Sequence, residues 1–351
     1  MGLSRGAADG GRAANPPISV VTVCMNRREH LLASAPRVAA WPHHAEHLIV
    51  DWSSREPLRS DELPGDPRLR LLRVEGESRW NLCRAYNFAL AHARGPWLLK
   101  LDADAWPTQR FDPAAPALRL TDGGPLCAFG SGPGGRKGQM LIERALFEAV
   151  GGFHELMLGY GFDDKDLQAR LWLHSGMETA VIPADWLAVI THGDEERAGQ
   201  QRAARRSGLE VARGEATMRA SRLANRLVAA HCPWGPRRLT SRYRQESRGI
   251  WRLEPGSQPR PPAAVAAELE DARRMTFWGS FLAIPEVCLE VLPFSLFPPD
   301  QAGHWPLRWW HRLWWRSGRR LLNLPVQLLV TGRQLVVGVD ARRQRRRREM
   351  P

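Results

Sequence analysis

The sequence predicts an α/β protein in which a mostly parallel β-sheet is covered by helices on both faces. From Ile18 onward, short β-branched runs alternate with stretches of helical length, and this alternation is typical of βαβ units. Two of the apolar runs end in aspartate, at Asp51 and Asp102. Because ligands of open parallel sheets bind at the carboxyl ends of the strands, these residues mark the predicted binding edge.

The elements of this sheet can be assigned in chain order. Four strands are predicted in ISVVTVCMN, HLIVDWSS, RLRLLRVE and PWLLKLDADAW. The helices between them are predicted in RREHLLASAPRVAAW and in SRWNLCRAYNFALAHARG, the latter ending at Gly95. A glycine-rich loop, GSGPGGRKG, then precedes a strand and a short helix in QMLIERALFEAVGGF. The acidic segment GYGFDDKDLQARL follows as a turn that leads into a helix.

The chain is predicted to have three regions. Residues 1–16 lack the apolar core of a secretory signal and are expected to be a disordered tail. Residues 17–225 contain the α/β pattern, and the chain's 43% apolar content can supply its core. Residues 226–351 are rich in Pro, Trp and Arg and are predicted to form a mainly helical accessory region, with one helix in AAVAAELEDARRM.

The composition limits the classes of partner. The net charge is +13, and lysine occurs only at positions 100, 137 and 165, so arginine supplies nearly all the positive charge. Arginine binds phosphate in a bidentate manner, which suits nucleotides, nucleic acids or anionic membranes, although a GC-rich genome also produces arginine-rich chains. Five cysteines without paired spacing argue against a disulfide framework or a zinc site and favour a reducing cytoplasm.

The end of the fourth predicted strand carries the pattern Asp102-Ala103-Asp104. Both carboxylates could reach one cation through the bend that follows the strand. Hard oxygen ligands suit Mg²⁺ or Mn²⁺, which completes its coordination with water and substrate phosphates. A bare D-x-D is common in proteins, but its position at the end of a strand favours a functional reading here.

The order of five motifs resembles the GT-A-fold glycosyltransferases, and family 2 in particular. The motifs are ISVVTVCMNR, LIVDWSS, RAYNFALAHARGPWLLKLDADAWP, GGFHE and GYGFDDKDL. The last is similar to the GWGxEDxD segment of the β-1,4-galactosyltransferase-like and N-acetylhexosaminyltransferase-like groups. The resemblance covers residues 17–197 and implies a GT-A, nucleotide-diphospho-sugar transferase fold.

The resemblance also implies which residues bind the donor. Asp51 would recognise the uracil or ribose, although Trp52 stands where the family usually has a second Asp. Asp102 and Asp104 would hold the metal that bridges the donor diphosphate. Arg84 and Asn87 would face the donor phosphates and sugar; the alternative is that both lie on a solvated helix face.

The same resemblance implies roles in the acidic segment. Asp164 would be the catalytic base, Asp163 would bind the acceptor, and Tyr160 would stack against a sugar ring. The N-terminus of the helix is expected to keep Asp164 ionised near neutral pH. The alternative is that the acidic residues only cap the helix. Asp166 is expected to pair with Arg170 along an exposed helix face.

Two further features lie beyond this segment. His192 would complete the metal coordination by resemblance, whereas a lone histidine is otherwise more often structural. Residues 306–351 combine a Trp- and Arg-rich amphipathic stretch with RRQRRRR, which suits an anionic membrane surface. The alternative is a helix that packs on the catalytic domain.

The sequence as a whole predicts a metal-dependent, inverting glycosyltransferase. Its expected donor is a UDP-hexose or UDP-N-acetylhexosamine, and its expected acceptor is a hydroxyl of a glycan or lipid-linked molecule. The expected location is the cytoplasm or the inner face of the membrane. A sugar-nucleotide nucleotidyltransferase should carry a glycine-rich basic loop after the first strand, where CMNRREHL stands. An arginine-rich nucleic-acid-binding protein should interleave basic and aromatic residues through its core, so nucleic acid is not an expected partner.

Overall fold

The structure is a computed structural model that describes residues 17–190 and 208–267, together with residues 269, 270, 273, 277, 328 and 332. Its strands are β1 (Ile18–Cys24), β2 (Glu46–Trp52), β3 (Leu69–Glu75), β4 (Trp97–Asp102), β5 (Ala105–Pro107), β6 (Cys127–Gly130), β7 (Met140–Glu143), β8 (Ala180–Ile182), β9 (Leu187–Val189), β10 (Tyr243–Ser247) and β11 (Ile250–Leu253). Its main helices are α1 (Arg28–Ala39), α2 (Leu82–His92), α3 (Arg144–Ala149), α4 (Asp163–Ser175) and α5 (Gly208–His231).

Nine of these strands form one sheet in the order β10-β11-β3-β2-β1-β4-β7-β6-β8, while β5 and β9 pair separately. Only β7 and β10 run against the direction of their neighbours within the described sheet. The predicted mostly parallel α/β architecture is therefore confirmed. Strand β1 lies between β2 and β4, with Cys24 opposite Asp51 and Val23 opposite Asp102, so both aspartates reach the same edge.

The two faces of the sheet bury alternate residues of each central strand, as the period of two requires. Val21 and Val23 pack in a cluster that also contains the apolar side of α2, whereas Val20 packs on the other face with Val38 of α1. Every residue of β1 and β2 is buried, which is the usual condition of a parallel strand covered on both faces. The helices on both faces are thus held by the apolar runs from which the strands were predicted.

The sheet continues into the region after residue 225. The boundary drawn at that residue lies inside α5, and β11 adds to the free edge of β3 in parallel, pairing Trp251 with Val74. The β10 sequence YRQES is polar and carries no strand pattern of its own. Its pairing depends on the hairpin with β11, which periodicity in the sequence does not reveal.

Two predicted segments fall largely outside the described residues. These are the N-terminal tail, residues 1–16, and the Trp- and Arg-rich segment 306–351, of which residues 328 and 332 alone are described. The helix predicted in AAVAAELEDARRM is present over residues 263–267. Among the described residues, none of the helices combines the length and the apolar character that crossing a bilayer requires.

Candidate active site

A cavity of about 1210 Å³ opens where β1 and β4 end. The loop Gly130–Gly138 and the start of α4 contribute to its walls. Typical small-molecule pockets have roughly 300–1,000 Å³, so this cavity has room for one ligand and part of a second. Five predicted site residues share it: Tyr160, Asp102, Asp104, Asp163 and Asp164. The structure therefore brings the D-x-D pattern and the acidic segment into one site.

The carboxylate of Asp102 is held by three side chains. Its Oδ1 lies 3.0 Å from the Lys100 ammonium and 3.2 Å from the Tyr86 hydroxyl, and its Oδ2 accepts a hydrogen bond of 2.9 Å from Gln139 Nε2. The Asp102 amide in turn donates to Gln139 Oε1 at 2.8 Å. The side chain is still 35% exposed, so an oriented carboxylate faces the cavity.

Lys100 is a buried cation in the middle of an apolar strand. Its ammonium donates to the carbonyl of Gly138 and lies 4.3 Å from the centroid of the Tyr86 ring. Burial lowers the pKa of Lys100, but the nearby charges of Asp102 and Asp164 outweigh burial and raise it overall. Lys100 therefore remains charged and offsets part of the repulsion among the carboxylates.

Asp163 and Asp164 lie at the start of α4, where burial affects both carboxyl groups. Phe162 precedes the helix with a left-handed φ of 75°, which turns the chain sharply before Asp163. Burial raises the pKa of Asp163, and burial followed by the charge of Asp163 raises the pKa of Asp164 well above its ordinary value. Burial and the like charge of Asp163 therefore outweigh any lowering of the Asp164 pKa by the helix N-terminus. Asp164 Oδ1 is buried and accepts no hydrogen bond.

One acid from each acidic pair lies beside Gly138. A Cβ atom on this glycine would lie 3.4 Å from Asp102 Oδ2, 3.6 Å from Asp164 Oδ2 and 3.9 Å from the Lys100 ammonium. The absence of a side chain therefore keeps open a space bounded by both carboxylates and the buried cation. Such a space can hold a polar or charged group in contact with both acids.

The carboxylate oxygens available as metal ligands suit a hard cation. Asp102 beside this space and Asp104 elsewhere in the cavity lining supply carboxylate oxygens, the ligands that Mg²⁺ and Mn²⁺ prefer. Among the described residues, no group of three or more His, Cys, Asp and Glu side chains could hold a metal ion. The predicted ligand His192 lies outside these residues, but the amide of Ile190 donates to the Asp104 carbonyl at 2.8 Å. The chain therefore passes next to the D-x-D pattern two residues before His192.

Asp51 does not reach the cavity. It is completely buried, and its Oδ1 accepts a hydrogen bond of 3.0 Å from the Ser54 amide. Its Oδ2 accepts from the Leu58 amide at 3.1 Å and from Arg73 Nη1 at 2.5 Å. These bonds tie the loop after β2 to β3, so the structure gives Asp51 a structural environment.

Arg84 and Asn87 also lie away from the cavity lining, and neither is on a solvated face. Arg84 pairs with the buried Glu77 at 2.6 Å. The Asn87 side chain accepts from the Phe153 amide at 2.7 Å and donates to the Phe153 carbonyl and to Glu155. Both side chains fasten α2 to neighbouring segments instead of facing the ligand space.

Asp166 and Arg170 form the expected pair, with 2.7 Å between Asp166 Oδ2 and Arg170 Nη2. Both side chains are buried, so the expectation of an exposed helix face is wrong. Arg170 also donates to the carbonyls of Val150 and Gly152, each at 2.7 Å. The pair therefore anchors α4 to the segment after α3 and holds Asp163 and Asp164 in place.

Several residues of the site were not singled out from the sequence. The cavity is lined by all three lysines of the chain, at positions 100, 137 and 165, although arginine supplies the other basic residues. This rarity was a usable signal, because a strongly charged strand residue such as Lys100 needs a partner. Arg222 and Arg226 of α5 also line the cavity, and no local pattern indicated them.

Two family profiles match the chain. Residues 19–153 match Glycosyl transferase family 2, and residues 133–216 match the profile described as the N-terminal domain of galactosyltransferase. The resemblance indicated by the sequence motifs is therefore confirmed. A search of curated proteins gives no match.

Solved structures with a similar arrangement share little sequence with this chain. One is a mannosyltransferase from Pyrobaculum calidifontis in complex with GDP-Man and Mn²⁺, at 16% identity and a TM-score of 0.42, with 90% of this chain and 86% of that chain covered. Glucosyl-3-phosphoglycerate synthase from Mycobacterium tuberculosis, in complex with Mg²⁺ and UDP, has 19% identity and a TM-score of 0.39, with coverage of 53% and 75%. The catalytic domain of Drosophila β1,4-galactosyltransferase 7, in complex with xylobiose, has 14% identity and a TM-score of 0.39, with coverage of 68% and 92%.

Proposed function

We propose that this chain, whose residues 19–153 match Glycosyl transferase family 2, is a metal-dependent, inverting glycosyltransferase. Its donor is a UDP-hexose or UDP-N-acetylhexosamine, and its acceptor is a hydroxyl of a glycan or lipid-linked molecule. The observation that carries this proposal is that one acid of each pair, Asp102 and Asp164, borders the space at Gly138. One pair can hold a cation, while the other presents a carboxylate oxygen without a hydrogen-bond partner.

Asp102 and Asp104 are the residues that would hold the Mg²⁺ or Mn²⁺ ion. When bound, such an ion neutralises charge on the leaving diphosphate. Gln139, Lys100 and the Tyr86 hydroxyl keep Asp102 oriented toward the cavity. Because the Asp102 carboxylate is already oriented, it needs little rearrangement when the substrate binds, and the free-energy cost of that rearrangement is small.

Asp164 is the proposed general base. Its free Oδ1 takes the proton of the acceptor hydroxyl while the acceptor oxygen forms a bond to the anomeric carbon. The bond between that carbon and the donor phosphate oxygen breaks, and its electron pair leaves with the nucleoside diphosphate. Asp163 holds the acceptor hydroxyl group, and the half-exposed ring of Tyr160 stacks on the acceptor sugar. A raised pKa of Asp164 suits this role, because a stronger base accepts the proton more readily.

The proposal is tested by donor binding and donor hydrolysis with and without Mn²⁺. A panel of UDP- and GDP-sugars identifies the donor, and calorimetry measures its affinity.

Asp102→Ala and Asp104→Ala should each remove the Mn²⁺-dependent part of donor binding with the fold intact. The matched control is Asp61→Ala, since Asp61 is an exposed acid paired only with nearby Arg59. Unchanged Mn²⁺-dependent binding in both cavity variants would contradict the metal assignment.

We also propose a cytoplasmic enzyme that binds the inner membrane face through residues 306–351. The support is the sequence alone: Trp and Arg alternate in the first part, and RRQRRRR follows. Full-length protein should sediment with anionic liposomes at low salt and remain in solution with zwitterionic ones. Replacing the arginines of RRQRRRR by glutamine should release much of the bound protein, and failure of the parent to sediment would refute the membrane proposal.

A further inference from the structure

Helix α5 contributes two arginines to the cavity that the proposed reaction leaves unused. Arg222 and Arg226 are four residues apart, so they lie on one face of the helix, and both line the cavity. This part of α5 lies beyond the two matched family regions, which end at residue 216. A role for the two arginines must therefore be argued from their surroundings.

The first arginine lies against the turn that precedes α4. Asn225 fixes this contact: its side chain donates to the Gly161 carbonyl at 2.8 Å and accepts from the Leu158 amide at 3.0 Å. A Cβ atom on Gly161, whose φ is +86°, would lie 3.3 Å from the Cβ and Cγ atoms of Arg222. The stem of Arg222 therefore packs directly on the turn that carries Tyr160.

The second arginine lies over the residue that leads into the acidic pair. The guanidinium of Arg226 is 5.8 Å from the centroid of the Phe162 ring, and Phe162 is followed at once by Asp163 and Asp164. Lys165, in the first turn of α4, also lines the cavity. Three basic residues therefore lie on the side of the cavity beside Tyr160, next to the acidic pair Asp163 and Asp164.

We propose that Arg222 and Arg226 form a subsite for an anionic group, a phosphate or a carboxylate, on the acceptor. The inference rests on the proposed function, in which the donor diphosphate belongs to the D-x-D side and the acceptor to the Tyr160 side. Guanidinium groups bind phosphate and carboxylate through paired hydrogen bonds. The cavity carboxylates would repel an anionic acceptor, and guanidinium groups on the Tyr160 side would offset that repulsion. The acceptor is therefore an acidic or phosphorylated sugar or a phosphate-linked one.

The test compares charged and neutral sugars on enzyme already saturated with UDP and Mn²⁺, so that the donor phosphate position is occupied. Affinities for glucose, glucose 6-phosphate and glucuronate are measured by ligand-observed NMR. At least one of the two charged sugars should bind roughly tenfold or more tightly than glucose, the expected value of charge-assisted hydrogen bonds. Comparing glucose 6-phosphate with glucuronate shows whether the subsite prefers a phosphate or a carboxylate.

Variants connect this preference to the two arginines. The double variant Arg222→Gln/Arg226→Gln should lose the preference and retain its affinity for UDP. Arg219→Gln is the matched control, because Arg219 is an exposed arginine of the same helix that does not line the cavity. It should keep the preference. If the glutamine variant fails to fold, Arg222→Lys/Arg226→Lys takes its place and should weaken the preference without reversing it.

Three results would overturn the subsite. They are equal affinity of the parent for all three sugars, equal loss of preference in Arg219→Gln, and loss of UDP affinity in the double variant with the preference intact. The last result would assign the arginines to the donor. Mn²⁺-dependent binding of UDP to the parent is measured separately, and its absence together with a preference for charged sugars would refute the proposed function but not the anion subsite.

Discussion

Asp51 and Asp102 occupy equivalent places in the sheet but have different environments. Each lies at the end of an apolar strand next to β1, opposite Cys24 and Val23 respectively. Asp51 is completely buried and accepts hydrogen bonds from two backbone amides and Arg73. Asp102 keeps 35% of its side chain exposed and faces the cavity.

The difference comes from what the chain does after each strand. After β2 it turns back over the carboxylate and offers the amides of Ser54 and Leu58 to it. After β4 it bends into β5, and the Asp102 carboxylate is left between Gln139, Lys100 and the space at Gly138. An aspartate at the end of a parallel strand is therefore positioned by the strand, but its role is set by the following loop and by distant segments.

The largest effect should come from the acid that faces Asp102. Asp164→Asn keeps the size of the side chain and removes the base, so transfer to the acceptor should fall by about 10²–10⁴. Mn²⁺-dependent donor affinity should remain close to that of the parent. The measurement is the transfer rate at saturating donor. If Asp163→Asn is inactive instead while Asp164→Asn is active, the two roles are exchanged, and if both are active the acids only cap α4.

The comparison itself is tested by making the same change at both strand ends. Asp51→Asn weakens a buried charged hydrogen bond to Arg73 and should lower the free energy of unfolding by about 1.5–3 kcal/mol. The folded fraction should still bind donor and Mn²⁺. Asp102→Asn should lose Mn²⁺-dependent binding in its folded fraction, and its denaturant midpoint should fall as well, because the variant removes a negative charge beside the buried Lys100 ammonium. Equal profiles of the two variants would remove the distinction between the two aspartates.

A smaller effect is expected at the glycine between the two acids. Gly138→Ala places a methyl group 3.4 Å from Asp102 Oδ2 and 3.6 Å from Asp164 Oδ2, where contacts are ordinary but the open space is filled. Mn²⁺-dependent UDP affinity should fall roughly tenfold, or about 1.4 kcal/mol, without unfolding. Gly235→Ala is the control, since its methyl group would meet no atom within 4 Å. Equal UDP affinity of the two variants would show that this space is not used.

The smallest predicted effect concerns stability against pH. The pKa of Asp164 is raised in the folded state, so its stabilising contribution is complete below the unfolded value of 3.8 and is lost as pH rises through the folded value. In EDTA, Asp164→Asn should therefore melt a few degrees above the parent at neutral pH. The difference should disappear in acid. A parent that melts above Asp164→Asn at neutral pH would show that Asp164 is stabilised as a carboxylate.

The anchoring residues show where prediction from sequence stops. Arg84, Asn87 and Asp51 have the residue types and positions of ligand-binding groups, yet their polar atoms bond to Glu77, Phe153 and Arg73 within the protein. Arginine, asparagine and aspartate satisfy structural partners as readily as ligands. Residue type and local spacing cannot separate these uses, because the partner is set by how the chain folds back, whether it is seven residues away, as Glu77 is from Arg84, or on another segment, as Phe153 is for Asn87.

The sequence by itself determined the order of the central strands and helices, the aspartates at the strand ends and the acidic start of α4. These features depend on apolar periodicity and on turn-forming residues, which act over a few neighbours. Only the tertiary structure decided that Asp102 and Asp164 share a space at Gly138, that Lys100 is buried between them, and that α5 brings Arg222 and Arg226 to the cavity. The physical reason is that burial and charge pairing arise between segments far apart in sequence, and they control the pKa and accessibility of each side chain.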